Sequence, residues 1–176
     1  MKYVLLHGAK KNVGDYLIRD RARSLLFEHK DVEKGDIIEV DAVRKSMSRE
    51  ELDEISKARA VILAGGPAYG DGNFYSNYPS VDKILDTGTP VYPLGPGWKG
   101  VSEADFRFTS ESLRVIKRIH DFVDFSGVRD YPTKRMLEKH GISNVELVGC
   151  PAWYNLKNLG KGFKKPSSID SIAIST

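Results

Sequence analysis

YVLLHGAKKNVGD, which spans residues 3–15, joins an unbroken apolar run to a loop that contains two glycines. An apolar run without charged residues is typical of a parallel strand that is covered on both faces of its sheet. A helical pattern follows, because Ile18, Ala22 and Leu25 fall on one stripe. The stretch therefore predicts a strand, a turn and a helix packed on the sheet, which is how an α/β domain begins.

Further apolar runs, bounded by turn residues, alternate with helical patterns along the chain. Glu39, Asp124 and Glu146 interrupt three of them, so we expect those strands nearer the edges of the sheet. About five strand–helix units in succession predict a Rossmann-like, doubly wound parallel sheet with right-handed crossovers. The predicted strands cover residues 3–6, 37–40, 61–64, 91–94, 122–125 and 145–148, and the predicted helices 14–30, 80–85 and 110–120, with two more starting at Ser48 and Asp130.

Composition excludes several classes of protein. The net charge of +3 is too small for a nucleic-acid-binding face, and the one basic cluster, at 157–165, is interpreted as a solvated linker rather than a binding patch. Cys150 is alone, which rules out an internal disulfide and fits a reducing compartment. The apolar start is too short for a signal peptide or a membrane span, and the four histidines show no metal-ligand spacing. We therefore expect a cytoplasmic protein with no metal, for which a homo-oligomer remains possible.

The C-terminal part departs from the strand–helix pattern. Residues 157–168 lack periodicity and are rich in Gly, Lys and Ser, which is typical of a linker. Residues 171–175 resemble the first strand of another α/β unit. Either this strand adds to the first sheet or the natural protein is longer, and we favour the second. The predicted organisation is a domain over 1–156, a linker over 157–168 and the start of a second domain at 169–176.

Ligands of doubly wound sheets bind beyond the carboxyl ends of the strands, which directs attention to the loops there. In the first loop, Asn12, Gly14 and Asp15 open the long helix beside two lysines. Free amides at a helix start favour an anionic or hydroxyl-rich ligand. The alternative is a simple helix cap, but capping needs only one such residue. The combination Asn-x-Gly-Asp therefore favours a functional loop.

Two other loops supply glycines and an arginine. Gly65 and Gly66 follow the third predicted strand and permit close approach of the backbone to a ligand, although a plain surface loop is equally compatible. Arg129 lies at a strand end just before a helix start, where it could grip a carboxylate or phosphate. An ion pair with Asp130 is the competing interpretation.

The remaining two loops carry weaker indications. Residues 95–100 match the letters of the dinucleotide fingerprint, but Pro96 removes an amide and no helix opens directly afterwards. A nucleotide site is therefore not expected, although Trp98 and Lys99 remain candidates to face a ligand. No adjacent histidine or other base supports Cys150 as a nucleophile, so a small buried residue is the favoured interpretation.

Together these loops resemble the polysaccharide pyruvyl transferase family. Each motif is weak alone, but their order and spacing across about 150 residues make the resemblance fairly specific. Pro67 departs from it where a third glycine is common, and Cys150 departs from it where the family has the acid of Asp-Pro-Ala. The segments that carry the resemblance are Asn-x-Gly-Asp at 12–15, the turns at 63–66 and 94–97, and Arg129-Asp130 followed by Thr133, Leu137 and Gly141.

The resemblance implies the N-terminal domain of a GT-B-type, two-domain transferase. Such an enzyme moves a pyruvyl group from phosphoenolpyruvate onto two sugar hydroxyls as a ketal, here on a cell-surface or exopolysaccharide precursor, and needs no cofactor. The family's donor-binding Arg and His residues lie mostly in the C-terminal half, so this chain would be the acceptor wall of a cleft and inactive alone. Asp15 is then the catalytic base or a ligand of the acceptor hydroxyl, and the residues expected to bind substrate are Asn12, Gly14, Gly65, Gly66, Trp98, Lys99 and Arg129.

Two other functions stay open. One is a nucleotide-sugar glycosyltransferase with the same two-domain layout. The other is a non-catalytic sugar-binding domain of the same fold, which the missing acid at Cys150 makes credible. In the favoured interpretation the first loop binds hydroxyls rather than anions, so Asn12 and Asp15 matter more than the neighbouring lysines.

Overall fold

A computed structural model describes residues 2–28, 32–70, 74–99 and 107–158, and also 160–162, 164–165, 167–168 and 171. In these residues a six-stranded, all-parallel sheet has the order β2-β1-β3-β5-β7-β8, and β4 pairs in parallel with β6. The strands are β1 Tyr3–His7, β2 Ile37–Asp41, β3 Ala60–Ala64, β4 Tyr69–Gly70, β5 Val91–Leu94, β6 Trp98–Lys99, β7 Ser126–Val128 and β8 Val145–Leu147.

The helices begin where the sequence places their caps. Ser48 and Glu51 exchange both hydrogen bonds of a capping box ahead of α2, and the Asp130 carboxylate accepts from the Thr133 amide ahead of α5. Gly141, with φ 83°, follows α5 in the left-handed conformation that ends many helices. The helices are α1 Val13–Phe27, α2 Arg49–Ser56, α3 Val81–Asp86, α4 Ser110–Asp121 and α5 Tyr131–Lys139.

Helices cover both faces of the sheet, which confirms the doubly wound, Rossmann-like fold. On one face α1 packs Ile18 and Ala22 against Leu5 of β1. On the other face the larger core includes Ile55 of α2 and Ile116 of α4, together with buried residues of α3 and α5. The edge strands β2 and β8 carry Glu39 and Glu146, as the interrupted runs predicted.

The strand predicted over residues 122–125 is wrong. Phe122 ends α4 instead, with φ −83° and ψ −13°, and the fifth strand of the main sheet is the smaller β7. Phe122 and Phe125 are 48% and 57% exposed, whereas all three residues of β7 are buried. A Cβ on Gly127 would lie 2.6 Å from Val148 Cγ2, so close neighbours admit only small residues there.

Much of the predicted second domain lies outside the described residues, as do residues 71–73 of the loop that follows β3. The domain boundary at 156/157, the linker and the second domain therefore stay predictions. Among the helices that the structure describes, none is long and apolar enough to cross a membrane.

Candidate active site

The strand order reverses beside β1, which pairs with β2 on one side and with β3 on the other. The loop after β1 leads to α1 on one face, and the chain after β3 leads to α3 on the opposite face, so a crevice opens between them. A cavity of about 360 Å³ occupies this position, within the range of small-molecule sites. Its described lining residues are His7, Gly8, Lys10, Lys11, Asn12, Asp15, Ile18, Val43, Arg44, Ala64, Gly65, Gly66, Pro67, Asn77, Tyr78 and Lys99.

Asn12 and Gly14 form the helix cap at the mouth of the cavity. Asn12 has extended backbone angles, and its Oδ1 accepts a hydrogen bond from the Gly14 amide at 2.8 Å. A Cβ on Gly14 would lie 3.2 Å from that oxygen, so glycine keeps the cap compact. Asn12 lines the cavity while it caps, and its Nδ2 can still donate to a ligand; Gly14 is not among the described lining residues.

Gly65 and Gly66 form the wall opposite the first loop. Both have positive φ, 52° and 73°, which other residues rarely adopt. A Cβ on Gly65 would lie 2.6 Å from Ile18 Cγ2, so this glycine lets α1 approach closely. No heavy atom of a described residue lies within 4 Å of a Cβ built on Gly66, so its bare backbone borders open space in the cavity. Gly66 is bound to the loop after β5, because its carbonyl accepts from the Gly97 amide at 2.9 Å.

Asp15 presents a carboxylate to the cavity. The side chain is half-buried and forms no hydrogen bond or ion pair with a residue that the structure describes. Burial raises the pKa of the Asp15 carboxyl, and the positive charge of Arg129 offsets part of that rise. A carboxylate with a raised pKa and no partner is a stronger base than an ordinary one, so it is suited to accept a proton from a hydroxyl.

Arg129 lies beside the cavity rather than in its described lining. Its Nε is 3.3 Å from an Asp130 carboxylate oxygen, and its guanidinium donates to the Trp98 carbonyl at 3.3 Å. It packs directly over Gly97, where a Cβ would collide with the guanidinium. The ion pair with Asp130, which was the competing interpretation of Arg129, is therefore present, and Arg129 acts on Asp15 through its charge.

The side chains of Trp98 and Lys99 lie on opposite faces of β6, although the residues are adjacent in sequence. The Trp98 ring is 7% exposed, belongs to the core and meets the Phe108 ring at a centroid distance of 5.4 Å. Lys99 is exposed and lines the cavity. The pairing of β4 with β6 produces this alternation, since successive strand residues point to opposite faces.

The geometry can be compared with known families. The model of the family described as polysaccharide pyruvyl transferase matches residues 12–175, which is nearly the whole chain. The chain belongs to this family. The name describes transferases with sugar acceptors, whereas the search of curated proteins gave no match.

In this member of the pyruvyl transferase family, His7 also lines the cavity, a position that the sequence marks only as a strand end. The ring is buried, and its Nδ1 accepts from the Ala9 amide at 3.2 Å, which leaves the proton of the neutral ring on Nε2. Burial, followed by the charge of Arg19, lowers the pKa of His7 against the opposing effect of Glu39 and Asp41. The ring is thus a neutral hydrogen-bond donor.

The sequence gives no indication that the loop after β2 contributes to a site, yet Arg44 of this loop lines the cavity. Arg44 has φ 57°, and its amide donates to the Asn77 carbonyl at 2.8 Å. Asn77 in turn donates from Nδ2 to the Pro67 and Ala68 carbonyls at 3.3 and 3.2 Å. Neither the positive φ nor these links can be identified from the residue letters.

Cys150, where the resemblance has an acid, is half-buried and packs against the apolar cluster of Leu5, Ile18, Ala22 and Ala64. A small apolar contact explains its position without any catalytic role. Among the residues that the structure describes, no group of three or more His, Cys, Asp or Glu side chains is arranged to hold a metal ion.

Proposed function

We propose that this chain is the acceptor-binding, N-terminal half of a polysaccharide pyruvyl transferase that uses phosphoenolpyruvate to build cyclic ketals on cell-surface or exopolysaccharide precursors. The observation that carries the proposal is the Asp15 carboxylate, half-buried in a sugar-sized cavity at the reversal of the strand order. Membership of the pyruvyl transferase family supports the reaction class.

The reaction requires one base and one acid. An acceptor hydroxyl bonds to C2 of phosphoenolpyruvate and loses its proton, while C3 gains a proton and becomes a methyl group. The oxygen of a second hydroxyl then bonds to C2 while the bond from C2 to the phosphate oxygen breaks, and the hydroxyl proton leaves with the phosphate, which gives the ketal and inorganic phosphate. Asp15 would accept the proton of the attacking hydroxyl, because its raised pKa favours that transfer.

The other cavity residues would orient the acceptor. The Asn12 amide and the His7 Nε2–H can donate to sugar oxygens, and the bare backbone at Gly66 leaves room for a ring. A second domain would close the cleft and supply the cations that bind phosphoenolpyruvate, so this chain alone is expected to be inactive. A cytoplasmic location follows from the need for phosphoenolpyruvate.

The test uses the full-length protein with phosphoenolpyruvate and a panel of glycan acceptors. We expect acceptor-dependent release of inorganic phosphate, together with a ketal methyl signal in the NMR spectrum of the glycan. Absence of both with every acceptor would remove the support for this function. Thermal stabilisation by UDP- or GDP-sugars, but not by phosphoenolpyruvate, would instead favour a glycosyltransferase.

A further inference from the structure

We propose that the acceptor is a phosphorylated sugar, whose phosphate is held by Lys11 and Arg44 while Asp15 binds its hydroxyls. The inference rests on the proposed function, since it names the class of acceptor that enters the same cavity. Two features of the cavity carry it: an excess of positive charge, and an arginine that the fold holds at the cavity in an unfavourable backbone conformation.

The charge on the cavity wall is unbalanced. The described lining contains four basic side chains and one carboxylate, Asp15. The ammonium group of Lys10 is neutralised, because it lies 3.1 Å from an Asp41 carboxylate oxygen. An uncharged sugar would leave the two charges of Lys11 and Arg44 balanced only by Asp15, whereas a phosphate dianion would compensate them and accept charge-assisted hydrogen bonds. The basic lining residues are Lys10, Lys11, Arg44 and Lys99.

Lys11 and Arg44 are exposed cations of the cavity wall that no described side chain neutralises. Neither forms an ion pair or a side-chain hydrogen bond with a residue in the described part of the chain. Arg114 and Arg118, by contrast, are both bound to Asp82, at 3.0 and 2.9 Å. The two cavity cations are therefore available to a ligand.

Lys11 and Arg44 border the same edge of the cavity. The Lys10 ammonium donates to the Val43 carbonyl at 3.4 Å, which ties the residue before Lys11 to the residue before Arg44. The Asp15 carboxylate lines the same cavity and forms no ion pair with Lys11 or Arg44, so it is separate from both cations. A ligand with a phosphate at one end and hydroxyls at the other matches this separation of charge.

Arg44 is held at this edge in an unfavourable conformation. Its φ of 57° is the one positive value for a non-glycine residue in the described part of the chain. The left-handed region is unfavourable for an arginine, and such residues persist where the surrounding structure holds them, often at ligand sites. Here Asn77 provides that support, because its carbonyl accepts from the Arg44 amide and its Nδ2 donates to the Pro67 and Ala68 carbonyls.

The experiment measures dissociation constants of the full-length protein by calorimetry. The probes are glucose, glucuronic acid, glucose 1-phosphate and UDP-glucose. We expect glucose 1-phosphate to bind at least tenfold more tightly than glucose or glucuronic acid, with an affinity that falls as salt is added. If UDP-glucose binds more tightly than glucose 1-phosphate, the phosphate belongs to a nucleotide sugar. If UDP-glucose binds more weakly, the phosphate belongs to a simple sugar phosphate.

Variants then locate the phosphate. Lys11→Gln and Arg44→Gln should each weaken glucose 1-phosphate binding by about tenfold, because each removes a charge-assisted hydrogen bond. Lys83→Gln and Arg49→Gln, which neutralise exposed cations away from the cavity, should leave the affinity unchanged. Equal binding of glucose and glucose 1-phosphate, or wild-type affinity in both cavity variants, would overturn the proposal.

The same variants separate this inference from the proposed function. If Lys11→Gln and Arg44→Gln weaken phosphoenolpyruvate binding and spare glucose 1-phosphate, the cations serve the donor. The inference then fails and the pyruvyl transferase function stands. If the protein binds glucose 1-phosphate through both cations and never releases phosphate from phosphoenolpyruvate, the inference stands and the function fails.

Discussion

Two hollows of similar size lie at opposite ends of the sheet, and their chemistry differs. The cavity at the carboxyl ends of β1 and β3 measures about 360 Å³, and the hollow beside the amino end of β7, near His120, measures about 420 Å³. In the first, the Asp15 carboxylate has no partner among the described residues. In the second, the two least exposed polar side chains, His120 and Asn144, form hydrogen bonds within the protein.

Both ring nitrogens of His120, at the amino-end hollow, have hydrogen-bond partners within the protein. Its ring nitrogens lie 2.9 Å from the Ser126 hydroxyl and 3.3 Å from the Tyr69 hydroxyl. Asn144 donates from Nδ2 to the His120 and Val123 carbonyls, both at 2.8 Å. Volume alone therefore does not indicate a site; a half-buried polar group without a partner, such as Asp15, does. We expect changes at the carboxyl end to alter activity, and changes at the amino end to alter stability.

The largest effect is expected from Asp15→Asn in the full-length enzyme. Removal of the proposed base should lower kcat by about 10²- to 10⁴-fold, the usual contribution of general base catalysis. The free energy of unfolding should be unchanged or slightly higher, because a half-buried carboxylate without a partner is replaced by a neutral amide. Initial rates of phosphate release and urea denaturation measure the two quantities.

Asp124→Asn is the matched control for this change. Asp124 is exposed in the loop before β7, so both rate and stability should stay at the wild-type level. A wild-type kcat in Asp15→Asn would assign the base to another residue and would end the functional contrast between the two hollows.

The second prediction compares the two glycines of the carboxyl-end wall. Gly65→Ala should lower the free energy of unfolding by about 2–4 kcal/mol, because a left-handed alanine adds to a collision with Ile18. Gly66→Ala has the same backbone cost without the collision, so a loss of about 1–2 kcal/mol is expected. Urea denaturation measures both, and equal losses would show that α1 does not press on this loop.

The third prediction concerns pH and the amino-end hollow. Burial lowers the pKa of His120 from 6.5 to about 4, so between these values the unfolded chain binds a proton that the native protein does not. Stability should therefore fall as the pH drops through this window, by about 2 kcal/mol from pH 7.5 to pH 5. His120→Gln should remove this share of the decline, as urea denaturation at both pH values can show. An unchanged pH dependence in the variant would contradict the assignment.

Sequence patterns predicted most of the fold because helix caps and unbroken apolar runs are local. Ser48 and Asp130 are recognisable as N-caps from the residues within four positions of them. Glu39 and Glu146 interrupt the apolar runs of the two edge strands, so the sequence alone indicates the edges of the sheet. The prediction of the fifth strand was wrong because its position depends on contacts between residues that are distant in sequence. Gly127 is confined by Val148 across the sheet, and the sequence around it gives no sign of that contact.

The candidate site likewise contains residues that the sequence predicts and residues that only the structure identifies. Asn12, Asp15 and the Gly65–Gly66 pair were predicted at the cavity, because the strand-end rule places loops without knowledge of side-chain contacts. Trp98 was expected to face a ligand, but the pairing of β6 with β4 directs its ring into the core. Arg44 was missed, since its role depends on a backbone angle and on a bond to a distant loop.

The smallest effect is expected from Ser126→Ala at the amino-end hollow. The change leaves one buried nitrogen of His120 without its hydrogen bond, which should cost about 1–2 kcal/mol of unfolding free energy. Ser143→Ala, at an exposed position of the same hollow, should cost less than about 0.5 kcal/mol. Because Ser126 is remote from the carboxyl-end cavity, kcat and KM of the full-length Ser126→Ala enzyme should match the wild type. A changed KM with normal stability would make the amino-end hollow a ligand site and would abolish the contrast between the two ends.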